Sequence, residues 1–302
     1  VEFKLTPKLA LTVLTRDHAL IEVPAAELEW AKLKAGALKR GDIVRIHKTG
    51  ETWGLTQVPL VQGALVALDP KDGAIRALTG GYDFFVGKFN RVLQARRQPG
   101  SGFKPFLYSA ALSYGFTPAS VILDAPVVFD DPALEDTWRP ENYTGKFYGP
   151  TRLREALVHS RNLVSIRILR EMGVKPVIDY ISHFGFTVEK NHVPSNLTLA
   201  LGSMQATPLE MASGFSVFAN GGYRVEPYYI DRIEGPGGQI VYTAEPQTVC
   251  PECVEPIYAV TDAESAKQTE ISPTHVAPSA LPASARRIQP AERAISPQVC
   301  FL

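Results

Sequence analysis

The chain has 302 residues, 31 Lys+Arg against 31 Asp+Glu, and 45% hydrophobic residues. These proportions are typical of a globular protein with a sizeable core, and they exclude global disorder. The balanced charge provides no basic field for nucleic acid, which is therefore not an expected partner. The sequence has no apolar run of the ~18 residues that a membrane span needs, and its His and Cys residues complete no metal-ligand pattern.

The first part of the chain, residues 1–62, has the pattern of β-strands. Strand-like runs over 43–47 and 52–57 flank residues 48–51, which predict a hairpin turn. We interpret 1–62 as the C-terminal part of a small β-rich, OB-like domain followed by a linker.

A second hairpin is predicted at the start of the next region, which covers 63–243. Apolar segments over 64–68 and 74–78 are joined by a turn that contains Pro70 and Gly73. Because both segments are almost continuously apolar, we expect these strands to be buried on both faces.

Helices follow this hairpin. Apolar residues recur with a helical period over 103–114, and Gly115 is positioned to end that helix. Thr207 and Glu210 form the pattern of a capping box, with Pro208 at the first helical position and a helix continuing to residue 219. This sequence of strands, helices and returning strands predicts an α+β fold. Further helices are predicted over 153–159, 164–172 and 176–184, and further strands over 228–234 and 239–243.

Residues 244–296 are rich in proline and lack periodicity, which predicts a flexible insertion. We interpret 244–302 as this insertion followed by the start of a segment that returns to the preceding domain. Cys250 and Cys253 have the spacing of a zinc half-site or redox pair, but no second Cys pair or nearby His completes a metal site. Cys300 is predicted to be buried and unpaired.

Ser101 and Lys104 form the first candidate catalytic pair. Residues three apart share a helix face, so the amine can lie within hydrogen-bonding reach of the hydroxyl. Pro105 places Ser101 at a helix N-terminus, because proline is tolerated in the first helical turn. Backbone N–H groups there favour developing negative charge on a nucleophilic oxygen. The alternative is an N-capping Ser101 with a solvated Lys104.

Ser160 and Asn162 form the second candidate pair, in the short link between two predicted helices. A hydroxyl and an amide two residues apart in a loop can both point into a cleft. One can then relay a proton while the other holds a substrate carbonyl. The alternative is that Asn162 caps the following helix.

In their order and spacing, these pairs resemble the Ser-x-x-Lys and Ser-x-Asn motifs of the penicilloyl-serine transferases, which include penicillin-binding proteins and serine β-lactamases. The segments 97–105, 138–143, 206–212 and 218–222 resemble class A penicillin-binding proteins more specifically. The strand-rich front part and the proline-rich segment resemble those of Gram-negative bacteria. The resemblance implies an α+β transpeptidase fold, in which a helical lobe accompanies an antiparallel sheet.

The resemblance also implies a D,D-transpeptidase that cross-links peptidoglycan stem peptides and is acylated by β-lactam antibiotics. Ser101 would attack the D-Ala-D-Ala carbonyl of a stem pentapeptide, with Lys104 as the base. Ser160 would pass a proton toward the leaving D-Ala, and Asn162 would bind the donor peptide. An amine of a neighbouring stem would then capture the acyl group, and no cofactor is implied.

Three further residues are implied at the border of the cleft: Trp138, Asn142 and Tyr143. A packing role for the aromatic residues is an equally good interpretation of this segment. The family is expected on the periplasmic side of the bacterial inner membrane, with an anchor and a glycosyltransferase domain upstream of this chain. In that oxidising compartment a local disulfide between Cys250 and Cys253 is implied, with free thiols as the alternative.

The third motif of the family, Lys-Thr-Gly on an edge strand, does not follow the predicted helices. Lys48-Thr49-Gly50 has the same letters, but it precedes Ser101 and lies in a predicted turn, so we interpret it as a turn. The true motif, which supplies a clamp for the substrate carboxylate and one oxyanion-hole N–H, is expected beyond Leu302.

Two other functions stay open at this point. A serine β-lactamase would need a hydrolytic base, but no Glu-x-x-Leu-Asn pattern stands between Asn162 and Thr207. A non-catalytic sensor or scaffold would bind β-lactams or partner proteins without turnover.

Overall fold

A computed structural model describes residues 11–34, 37–128, 138–250 and 289–300 of the chain. The chain divides into two units, Val1–Gln62 and Gly63–Leu302. None of the helices in the described residues has the length and apolar character that crossing a bilayer requires.

The first unit contains two antiparallel hairpins and a 3-10 helix, Ala25–Ala31. Leu28 of this 3-10 helix belongs to a small apolar core that also contains Leu11 and Val23. The second hairpin turns at Gly50, which has a φ of 60°, and at Glu51, whereas Lys48 and Thr49 end the strand Arg45–Thr49, so the turn is shorter than the predicted 48–51. The closed OB-like barrel stays a prediction, because the described strands form two separate sheets. The strands are β1 (Leu11–Leu14), β2 (Leu20–Val23), β3 (Arg45–Thr49) and β4 (Thr52–Thr56).

The second unit begins with a hairpin and continues with helices and short strands, in the predicted order. Its described sheets are all two-stranded, and only the pair Gln247–Thr248 with Gln289–Pro290 is parallel. The strands are β5 (Leu65–Leu68), β6 (Ile75–Thr79), β7 (Val121–Asp124), β8 (Gly149–Arg152), β9 (Tyr223–Arg224), β10 (Arg232–Glu234), β11 (Ile240–Thr243), β12 (Gln247–Thr248), β13 (Gln289–Pro290) and β14 (Glu292–Arg293). The helices are α1 (Arg91–Gln94), α2 (Lys104–Ser113), α3 (Leu153–Val158), α4 (Asn162–Met172), α5 (Val174–Ile181), α6 (Val188–Asn191) and α7 (Pro208–Ala219).

The hairpin β5–β6 forms at the predicted place, but the prediction that both of its faces are buried is wrong for the described structure. The side chains of Leu65 and Leu78 are 55% and 39% exposed. Helix α7 packs against β5, and within the described residues no third strand extends this sheet. The described neighbours therefore leave part of the apolar surface of this hairpin exposed.

Helix α2 is the centre of the hydrophobic core, and it is buried around most of its circumference. Phe106 makes edge-on or tilted contacts with four other rings, at centroid distances of 5.0–5.5 Å. Such geometries stabilise aromatic pairs beyond their burial alone. The four partners, from α7 and the segment after α5, are Phe184, Phe186, Phe215 and Phe218.

The helices longer than one turn were predicted from the sequence to within a few residues. Gly173 and Gly185 end α4 and the turn after α5 with φ of 86° and 90°, as expected of glycine at a helix end. The one-turn helices α1 and α6 were missed, because four residues are too few to show a hydrophobic period.

The predicted insertion, 244–296, lies largely outside the described residues. Its two described ends are ordered, because β12 pairs with β13 and β14 pairs with β9. Ala291 and Ile295 are buried, which the proline-rich composition did not predict. Cys250 is disulfide-bonded, but its predicted partner Cys253 lies outside the described residues, so the pairing stays a prediction. Cys300 carries a free, half-buried thiol.

Glu210 anchors the start of α7 to the segment that leads to Ser101. Thr207 and Glu210 form the predicted capping box. The Glu210 carboxylate also lies 3.2 Å from both the Arg96 guanidinium and the Lys190 amine, and it accepts a hydrogen bond from the buried Asn191 amide at 3.0 Å. Burial alone would raise the pKa of Glu210, but the Thr207 N–H and the two cations outweigh it and lower the pKa.

This arrangement predicts a pH-dependent contribution to stability. Because the pKa of Glu210 is lowered by folding, its stabilisation is present above the unfolded-state pKa and is lost as the pH falls through the folded-state pKa. We expect Glu210→Gln to lower the free energy of unfolding by about 1–3 kcal/mol at pH 7. The loss should shrink below the usual glutamate pKa of 4.5.

Thermal unfolding of both proteins between pH 3 and pH 8, at about one-unit steps, measures this difference. Glu171→Gln is the matched control, because Glu171 is an exposed carboxylate on α4 that forms no ion pair with the described residues. A loss of stability in Glu210→Gln that stayed constant with pH would contradict the expectation.

Candidate active site

Ser101 lies in a 3-10 helix, Gly100–Phe103, that continues directly into α2. Its side chain is exposed and makes no hydrogen bond with the described residues, and no side chain caps either helix start. Pro105 lies in the first turn of α2, as predicted. The N-capping interpretation of Ser101 is therefore wrong, and its hydroxyl is free to meet a ligand.

The backbone around Ser101 is fixed from behind by residues far along the chain. Arg97 and Ala206 exchange two backbone hydrogen bonds, of 3.0 and 2.9 Å, and Gly100 N–H donates to the Gly202 carbonyl at 3.2 Å. Gly202 has a φ of 72°, and a Cβ there would lie 2.1 Å from the Gly100 carbonyl oxygen. Gly202 was not predicted as a site residue. Its position directly after the 3-10 helix Leu197–Leu201, which Asn196 caps, is nevertheless typical of a glycine that ends a helix.

Lys104 is 1% exposed at the start of α2, so the interpretation of a solvated lysine is also wrong. Its Nζ donates to the Ser160 carbonyl at 2.7 Å, to Ser160 Oγ at 3.0 Å and to Asn162 Oδ1 at 2.8 Å. None of these bonds goes to Ser101, contrary to the expectation from their spacing. Burial lowers the pKa of Lys104 from 10.5 to about 8, because desolvation disfavours the charged amine.

Ser160 follows α3 in a left-handed backbone conformation, with a φ of 53°. For a residue other than glycine this conformation costs about 1–3 kcal/mol, so the surrounding structure must hold it in place. The conformation turns both the carbonyl and the hydroxyl of Ser160 toward the Lys104 amine, while the residue stays exposed to solvent.

Asn162 is the first residue of α4, but its side chain does not cap the helix. The amide oxygen accepts from Lys104, and the amide nitrogen donates to the Glu141 carbonyl at 2.9 Å. The capping interpretation of Asn162 is therefore wrong. Both ends of the amide are held, which fixes its orientation beside the lysine.

The three residues expected at the border of the cleft lie in different environments. Asn142 is buried behind Asn162, and its Oδ1 accepts the Asn162 backbone N–H at 2.8 Å. Trp138 is half-buried and packs against the hydrophobic core, whereas Tyr143 is fully exposed. The structure thus brings Ser160, Asn162 and Lys104 into contact and places Asn142 beneath them.

An exposed serine and a buried lysine lie at one helix start, and the lysine bonds a Ser-x-Asn turn. This arrangement matches the residue pattern of the penicilloyl-serine transferases. Residues 63–278 match the penicillin-binding protein transpeptidase domain, and the chain belongs to this family. The fold class and the resemblance predicted from the sequence are confirmed.

Within the family the chain is similar to penicillin-binding protein 1A. It is 47% identical over 256 residues to this protein from Pseudomonas aeruginosa, covering 80% of the chain and 31% of that protein. It is 49% identical over 198 residues to the protein from Vibrio cholerae, covering 66% and 24%. The crystal structure of penicillin-binding protein 1A from Haemophilus influenzae matches with a TM-score of 0.79 at 33% identity, covering 96% of this chain and 41% of that chain.

The close approach of Gly202 to Gly100 leads to a prediction. Gly202→Ala adds both left-handed strain and a clash with the backbone before Ser101, so it should displace the hydroxyl. We expect labelling of Ser101 by a fluorescent penicillin to slow by roughly 10- to 100-fold, because small displacements of reacting groups have effects of that order.

Gly115→Ala is the control, because Gly115 also has a positive φ, of 95°, but a Cβ there meets no atom within 4 Å. It should lower the thermal midpoint without slowing the labelling. Equal labelling rates for the two variants would show that the contact between Gly202 and Gly100 does not position Ser101.

Proposed function

We propose that the chain carries the serine D,D-transpeptidase site of a peptidoglycan cross-linking enzyme and that β-lactams acylate Ser101. The chain spans between 24% and 34% of the length of the curated relatives that it matches, so this proposal rests on the site itself. The observation that carries it is the buried Lys104 amine, which joins the start of the Ser101 helix to both polar residues of the Ser-x-Asn turn.

In the acylation step, neutral Lys104 accepts the proton of the Ser101 hydroxyl. The oxygen of Ser101 bonds to the carbonyl carbon of the penultimate D-Ala. The lowered pKa of Lys104, about 8, leaves roughly a tenth of the amine neutral at pH 7. Burial thus makes this lysine usable as a base near neutral pH.

Collapse of the tetrahedral adduct breaks the bond to the terminal D-Ala. The leaving nitrogen needs a proton, and Ser160 Oγ, at 3.0 Å from Lys104 Nζ, can pass it on. In the second half-reaction an acceptor amine attacks the ester carbon and gives up a proton to Lys104, which passes it to the Ser101 oxygen as the ester bond breaks. Ser101 is then free again, and an amide cross-link has formed.

The remaining residues shape the binding of the donor peptide. The Asn162 amide lies at the surface of the site and is oriented by Lys104 and Glu141, so it can hydrogen-bond a peptide group of the donor. Tyr143, fully exposed one residue beyond Asn142, is available to border the cleft. We place the enzyme on the periplasmic side of the inner membrane, where its stem-peptide substrate is found.

Replacing the nucleophile tests the proposal directly. Ser101→Ala should abolish labelling by fluorescent penicillin, because no other group forms the acyl bond. Ser109→Ala is the matched control, since Ser109 is a buried serine on the same helix that bonds Tyr180. This control should label at the wild-type rate, and persistent labelling of Ser101→Ala would remove Ser101 from the mechanism.

The lysine base sets the pH dependence of acylation. Because the neutral amine is the active form, the labelling rate should rise by about tenfold per pH unit below pH 8 and level off above it. Stopped-flow measurements of the acylation rate between pH 5.5 and 9.5, at about half-unit steps, would show this rise and the plateau. A rate that did not change over this range would contradict a role for Lys104 as base.

The lifetime of the acyl-enzyme distinguishes the proposed transpeptidase from a β-lactamase. A transpeptidase should keep the penicilloyl group far longer than seconds, because its site is built for capture by an amine. Rapid hydrolysis of the adduct would favour a β-lactamase.

A further inference from the structure

Asp124 is a fully buried carboxylate that the proposed reaction does not use. It is the last residue of β7, where it faces Gly149 of β8 across the hairpin. The Asn142 amide nitrogen donates to both of its carboxylate oxygens, at 2.8 and 3.0 Å. A buried charge is costly unless it is paired and hydrogen-bonded, so its presence here calls for a reason.

A chain of hydrogen bonds leads from Asp124 to the catalytic lysine. Asn142 donates to Asp124 with one end of its amide and accepts the Asn162 backbone N–H at 2.8 Å with the other. Asn162 in turn accepts from Lys104 at 2.8 Å. Two amides therefore connect the buried carboxylate to the amine.

The Asp124 carboxylate determines which way round the Asn142 amide lies. A carboxylate only accepts hydrogen bonds, and the Lys146 carbonyl, 2.9 Å from Asn142 Nδ2, also only accepts. Both require the NH₂ group on their side, which leaves Oδ1 for the Asn162 N–H. An amide at position 124 could also donate, and a reversed Asn142 would then present its own donors to the Asn162 N–H.

Arg161, the middle residue of the Ser-x-Asn turn, compensates the buried charge. Its Nε lies 4.0 Å from Asp124 Oδ2, and it is a buried nitrogen without a hydrogen-bond partner among the described residues. Its guanidinium stacks on the Tyr148 ring at 3.3 Å from the centroid. The ion pair therefore ties the turn itself to β7.

We propose that Asp124 is a positioning residue that acts through Asn142 to hold the Asn162 amide against Lys104. This inference rests on the proposed transpeptidase function, because it concerns the geometry of the same lysine. Loss of the charge lets the Asn142 amide reverse, shifts the start of α4 and removes one acceptor from the Lys104 amine.

The test is a double-mutant cycle in the full-length protein, with the rate of acylation by fluorescent penicillin as the readout. Asp124→Asn keeps the shape of the side chain and should slow acylation by roughly 10- to 100-fold. Asn142→Ala should cause a similar loss. If Asp124 acts through Asn142, the double variant should be no slower than Asn142→Ala alone, whereas independent effects would multiply.

A control variant in the hydrophobic core distinguishes a general loss of stability from displacement of the Asn162 amide. Val177 is fully buried on α5 and takes no part in the chain of hydrogen bonds, so Val177→Ala should lower the thermal midpoint and leave acylation unchanged. Should Asp124→Asn not fold, Asn142→Ala decides alone, and a rate within about twofold of the wild type overturns the inference.

The outcomes also distinguish this inference from the proposed function. A wild-type protein that penicillin does not acylate would refute the proposed function. A normally acylated wild type, together with an Asp124→Asn variant of unchanged rate or with multiplicative losses in the double variant, would refute the inference alone.

Discussion

The hydrogen bonding of one buried amine is the constraint on which the rest of the site depends. Lys104 is removed from water, so its protons need acceptors that the protein itself must supply. The Ser160–Asn162 turn supplies all of them, which requires a left-handed backbone at Ser160 and a fixed amide at Asn162. Burial at the same time disfavours the charged form and lowers the pKa of Lys104 to about 8.

The fold serves this arrangement from two sides. Helix α2 is packed on its far side by the rings around Phe106, which sets the depth of Lys104 in the core. The turn before it is held by the Gly100–Gly202 contact and by the Arg96–Glu210 ion pair. The segment around Ser101 and Lys104 is therefore fixed by residues that lie about a hundred positions later in the chain, as the separation of 114 between Arg96 and Glu210 illustrates.

Much of this could be predicted from local patterns and from a family resemblance. The capping box of α7 and the glycine ends of the helices are local signals, and they were read correctly. The acceptors of the Lys104 hydrogen bonds were not predicted correctly. The i, i+3 spacing suggested Ser101, but the acceptors lie 56 and 58 residues further along the chain. The burial of Asn142 and the exposure of β5–β6 likewise depend on neighbours distant in sequence.

The left-handed conformation of Ser160 sets stability and chemistry against each other at one position. Glycine adopts this backbone without the steric cost that serine bears, so a glycine there would relax the turn while it removed the hydroxyl that contacts Lys104. Variants selected for thermal stability alone would thus favour glycine at position 160 and lose the hydroxyl contact with Lys104. Under the proposed function such a variant would be more stable but less readily acylated. Thermal stability therefore does not report on the reactivity of this site.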